Sequence, residues 1–118
     1  MNITLIREKY PKAIYRMLLW LDNARGFDKS LEGEAFDFIE DLPRELYNFF
    51  DLQGIYVGVK PQAYPSQKLV PIFDAYIICR DLTITPIIID CVSRPEAEEQ
   101  AFLKAFEILE GKIKEVRL

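Results

Sequence analysis

The stretch Ile84-Thr85-Pro86-Ile87-Ile88-Ile89-Asp90-Cys91-Val92-Ser93-Arg94-Pro95-Glu96-Ala97, continued as Glu98-Glu99-Gln100-Ala101-Phe102-Leu103-Lys104-Ala105-Phe106-Glu107-Ile108-Leu109, decides the fold. Its first part is a β-branched run with the composition of a strand. Ser93 followed by Glu96 matches a capping box, in which the serine hydroxyl accepts from the Glu96 N–H and the carboxylate returns to the Ser93 N–H. Glu96, Glu98 and Glu99 favour the positive end of the helix that follows, and Phe102, Ala105, Phe106 and Leu109 give that helix one apolar stripe. A strand that turns at once into such a helix requires the helix to lie back on the sheet. Gly111 is expected to fray it, leaving a charged tail.

Reading outward toward the N-terminus, Thr83–Val92 and Leu69–Arg80 are predicted strands joined by a short turn at 81–83. Ile55–Lys60 is a third strand, alternating through Ile55, Val57 and Val59. Pro61–Lys68 is a proline-bounded loop, and Pro71 and Pro86 belong at a strand start, a bulge or an edge position. Before the strands, Thr4–Asp22 shows helical spacing through Leu5, Ile6, Tyr10, Ala13, Ile14, Met17, Leu18 and Leu21. Pro11 either starts or bends that helix, and Gly26 stops it. Leu31–Ile39 is a weaker helical segment. A short helix opens near Asp41, with Pro43 in its first turn, and ends at Gly54. The order helix, helix, short helix, strand, strand, strand, helix predicts one α+β domain over 1–118: a three-stranded antiparallel meander with N-terminal helices and one C-terminal helix packed on it.

A second hairpin centred on Leu82 places Phe73, Ala75, Ile77 and Cys79 opposite Cys91, Ile89, Ile87 and Thr85 on an apolar face for the last helix to cover. The reverse face then carries Tyr56, Lys60, Asp74, Tyr76 and Ile78, with Asp90 opposite Asp74. It is too apolar for open solvent, so the N-terminal helices or a second subunit should close it. Two facing carboxylates repel unless a cation, a shared proton or extra room relieves them. Either a divalent ion sits between Asp74 and Asp90, or Lys60 or a helix arginine neutralises them. Tyr64, in the proline-bounded loop, is a second candidate contact for a partner. Tyr15 and Trp20, on the first helix, are expected in the core.

The 118 residues are half hydrophobic and 13% aromatic, enough for one real core. The net charge of −4 is unevenly spread: residues 1–21 carry +3, whereas 22–51 hold nine acidic and three basic groups. An acidic surface repels phosphate backbones and suits a basic partner, although a solvated helix face has the same composition. No apolar run is long enough to cross a bilayer, and Met1-Asn2-Ile3-Thr4 lacks the basic head of a secretory signal, so a soluble cytoplasmic protein is expected. Cys79 and Cys91 read as reduced core residues.

The chain contains no histidine, which removes Ser–His and Cys–His nucleophile schemes. It has no glycine-rich phosphate loop, and Glu40-Asp41 are adjacent on one element and so do not converge. No catalytic residue, metal ligand or cofactor is assigned, and the chain is not expected to be an enzyme.

Three segments together resemble small uncharacterised proteins of phages, prophages and conjugative elements in Bacteroides-type bacteria: Arg7–Ala13 (REKYPKA), Arg44–Ile55 (RELYNFFDLQGI), and Ser93–Glu98 (SRPEAE) through Ala105–Leu109 (AFEIL). That resemblance implies a mobile-element accessory protein and brings no catalytic residues with it. The strands and helix of 55–109 are similar to the HicB-type antitoxin fold and the double-stranded RNA-binding fold, which imply toxin or RNA partners. Glu96, Glu98 and Glu99 stand where the RNA-binding pattern has a basic cluster, so nucleic acid is not the expected partner. The leading expectation is a non-enzymatic accessory protein that binds another protein, the acidic segment suiting a basic one, and forms a homodimer. The alternatives are an antitoxin-like or nucleic-acid-linked regulator and a small hydrolase using a divalent metal on Asp74 and Asp90.

Overall fold

The computed structural model describes residues 1–61, 73–81, 84–91 and 93–115, with residues 29, 84–91, 114 and 115 as backbone alone. Its fold is α+β: N-terminal helices, an antiparallel sheet, and a C-terminal helix packed on that sheet. The chain divides into two compact units, one of Met1–Phe49 with Phe106–Leu118 and the other of Phe50–Ala105.

The first unit begins with helices α1 (Ile3–Lys9) and α2 (Pro11–Arg25). The side chain of Asn2 caps α1 by accepting from the Leu5 N–H at 3.2 Å. Tyr10 separates the helices at φ −130°, ψ 62°. Pro11 imposes the break, because its ring disfavours helical geometry in the residue before it yet suits the first helical position. The one long helical pattern of Thr4–Asp22 is therefore two helices. Ile6, Ala13, Ile14, Met17 and Leu21 are buried, while Leu5 and Tyr15 are exposed rather than in the core. Gly26 ends α2 in the left-handed conformation that only glycine adopts freely, donating to the Asp22 carbonyl at 3.0 Å.

A 3₁₀ turn (Lys29–Leu31) leads into α3 (Glu32–Asp41), followed by α4 (Glu45–Leu52). Pro43 lies just ahead of α4 in a turn whose carbonyl accepts from the Leu46 N–H. Leu46 and Phe49 are buried, and Trp20 sits 5.5 Å from Phe49 between ring centroids.

Two glutamates cap these helices from a distance. Glu40 accepts from the Ile3 N–H at 3.0 Å, and Glu110 accepts from the Ala13 N–H at 2.9 Å. Both donors lie in a first helical turn, where no intrahelical acceptor exists. Tyr10 supplies no side-chain cap to α2, so the carboxylate of Glu110, 97 positions away, supplies one.

In the second unit, Gly54 (φ 73°) turns the chain from α4 into β1 (Ile55–Pro61), and its carbonyl accepts from the Arg80 N–H at 2.9 Å. β2 (Phe73–Cys79) pairs antiparallel with β1 in the register Tyr56↔Ile78, Gly58↔Tyr76, Lys60↔Asp74. β3 (Ile84–Cys91) lies on the other side of β2, also antiparallel. Ala75, Ile77 and Cys79 are buried, as the alternation requires of a covered face.

The expected register of the second hairpin holds only at Phe73↔Cys91. From there it shifts to Ala75↔Ile87, Tyr76↔Pro86, Ile77↔Thr85 and Ile78↔Ile84. Three residues of β3 oppose one of β2 at this irregularity, and the hairpin centres one residue earlier than expected. A slip of two keeps odd positions opposite odd ones, so the alternation cannot distinguish the two registers.

Helix α5 (Arg94–Glu115) begins with one half of the expected capping box, the Ser93 hydroxyl accepting from the Glu96 N–H at 3.3 Å. Within this unit Ala97, Ala101, Phe102 and Ala105 are buried, and Phe102 stacks on Phe50 at 6.2 Å. The Arg94 guanidinium lies 5.2 Å over the Phe73 ring and donates to the Val59 carbonyl at 3.4 Å. Contrary to expectation, α5 runs through Gly111. An exposed glycine costs only about 1 kcal/mol in a helix, and residues on both sides of it, Leu109, Glu110 and Ile113, are buried or half-buried.

Candidate functional site

The side of the β1–β2 pair opposite Ala75, Ile77 and Cys79 carries Tyr56 and Lys60 from one strand and Asp74, Tyr76 and Ile78 from the other, with Gly58 between. Gly58 organises this face. A Cβ built there would overlap the Tyr76 ring, its Cε1 atom lying 2.6 Å away. Absence of a side chain lets the ring lie down on the β1 backbone. The Lys60 ammonium stands 5.9 Å from the centroid of the same ring, at the outer range of a cation–π contact.

The face is neither sealed nor open. Asp74, Tyr76 and Ile78 are half-buried, and Tyr56 is 41% exposed. Of the residues singled out from sequence, Tyr56, Asp74 and Tyr76 therefore share one surface. The register places Asp74 beside Lys60 of β1. Asp90 falls in the irregular stretch of β3, where no pairing with Asp74 is formed in the register; its side chain, like the whole of Tyr64, lies outside the described residues. Among the described residues no three His, Cys, Asp or Glu side chains gather as metal ligands would.

Neither Gly58 beneath Tyr76, which shapes this face, nor Arg94 over Phe73, on the opposite, helix-covered side of the strands, was among the residues singled out from sequence. A glycine inside an otherwise alternating strand was the available signal for the first. The second had none, because it joins positions 21 apart in sequence across a strand–helix corner.

Several of the remaining charges have structural partners. The acidic segment 22–51 supplies partners to basic residues: Arg7 pairs with Glu32, and Arg25 with Glu45 at 3.0 Å. Asp28 has its carboxyl held below the usual carboxylate value by the hydroxyl and N–H of Ser30. No described helix is long and apolar enough to cross a membrane. Comparison with protein families, curated proteins and solved structures finds no match.

Proposed function

We propose that this chain is a non-enzymatic accessory protein, encoded on a mobile element, that works by binding another protein through the Tyr56–Lys60–Asp74–Tyr76 face of β1 and β2. The observation that carries the reading is an exposed tyrosine, Tyr56, beside a second one, Tyr76, whose phenol end fills the space over Gly58. Tyrosine supplies large contact area for little conformational entropy, and a ring already fixed by its neighbours loses less on binding. Lys60 and Asp74 give the surface one charge of each sign to set orientation. The lack of histidine and of a phosphate-binding loop supports binding over catalysis.

The test uses the products of the genes flanking this one, each co-expressed with the full chain and with the Tyr56→Asp variant. The reading expects one flanking product to co-purify with the wild type and to be lost with Tyr56→Asp. It fails if no flanking product binds, or if the complex survives both Tyr56→Asp and Tyr76→Ser.

A further inference from the structure

Helix α2 leaves one face uncovered. At 3.6 residues per turn, Lys12, Tyr15, Leu19 and Asn23 form a single stripe opposite the buried Ala13, Ile14, Met17 and Leu21. Tyr15 is 54% and Leu19 44% exposed, and the stripe contains no carboxylate. Helix α3 shows the complement. Glu34, Asp37 and Asp41 are exposed along one line, opposite the buried Ala35 and Ile39, and Leu42 is 55% exposed just beyond them. Among the described residues neither Lys12 nor any of these three carboxylates takes part in an ion pair.

We infer that these helices form a self-association surface, the Lys12–Tyr15–Leu19 stripe of one copy seating against the Glu34–Asp37–Asp41 stripe of a second, reciprocally about a two-fold axis. Such a contact joins an apolar, cation-bearing face to an anionic one, and the symmetry makes it twice per dimer. Phosphate-bearing partners fit the α2 stripe less well, because the neighbouring segment 22–51 holds nine acidic residues against three basic ones. The surface shares no residue with the β1–β2 face.

Sedimentation velocity of the full chain tests this, with circular dichroism to confirm that each variant is folded. The wild type should dimerise at low ionic strength and weaken as salt is raised through about 0.15 M. Lys12→Glu with Leu19→Ala, and separately Glu34→Lys with Asp37→Lys, should each weaken the dimer by about tenfold or more. For the decisive arm, Lys12→Glu alone is mixed with the Glu34→Lys, Asp37→Lys variant. The mixture should dimerise more tightly than either variant alone, since both reciprocal contacts then join opposite charges. Tyr56→Asp should leave the dimer intact. A wild type monomeric at low salt, a folded mixture that does not regain the dimer, or a dimer abolished by Tyr56→Asp overturns the inference. Preferential binding of the wild type to RNA or to phosphatidylglycerol vesicles through Lys12 overturns it as well.

Discussion

Replacing Glu110 with alanine should destabilise the protein far more than a glutamate on a helix ordinarily would. The side chain is 5% exposed and accepts from the Ala13 N–H at 2.9 Å. Ala13 is the third residue of α2, so its N–H has no partner within the helix, and Tyr10 offers no side-chain cap. Alanine removes a charge-assisted hydrogen bond worth about 1.5–3 kcal/mol and leaves a buried donor unsatisfied. It also removes a carboxylate from the positive end of α2, worth about 0.3–1 kcal/mol. Removing the glutamate also relieves its own desolvation, so the net loss should be about 2 kcal/mol. For a chain of this size that corresponds to a fall in Tm of about 8 °C. Glu110→Gln keeps an acceptor oxygen in place and should cost about half as much. Urea unfolding followed by circular dichroism, with unchanged m-values, measures both. A loss for Glu110→Ala below about 0.5 kcal/mol, the level of an ordinary surface substitution, would refute the capping role. So would equal losses for alanine and glutamine.

Two further outcomes follow from the local geometry. Gly58→Ala should cost about 1–3 kcal/mol by pushing the Tyr76 ring off the β1 backbone; in a Tyr76→Ala background the same change should cost much less, and a double-mutant cycle of urea midpoints reads the difference. Asp28 titrates below its ordinary value of 3.8 because Ser30 donates to it. A carboxyl whose folded value is depressed adds stability above its unfolded value, and that contribution is lost as pH falls through the folded value. Ser30→Ala should return the Asp28 carboxyl titration, followed by NMR, toward 3.8.

Local signals in the chain announced local structure. Gly26, Gly54, Pro11 and Ser93 mark the helix ends and starts where their backbone chemistry demands, and alternation identified Ala75, Ile77 and Cys79 as the covered side of β2. What stayed hidden depends on distance or on degeneracy. The Glu110 cap joins residues 97 positions apart, and no pattern along the chain ties them together. The hairpin slip between Phe73 and Ala75 moves residues by two, a shift to which period-2 alternation is blind. Gly111 looked like a helix end, yet a single exposed glycine is a small penalty beside burial on both sides. On the candidate face, Tyr56, Asp74 and Tyr76 were legible from strand parity alone. The ring lying on Gly58 was not, because it depends on which glycine the register brings beneath Tyr76.

Hydrogen–deuterium exchange of the full chain, free and in complex with the flanking-gene product that binds it, tests the proposed binding face most directly. The account predicts new protection concentrated in Tyr56–Lys60 and Asp74–Ile78, with the exposed face of α2 unchanged at equal oligomeric state. Protection that leaves both strands unaltered and appears elsewhere would contradict it.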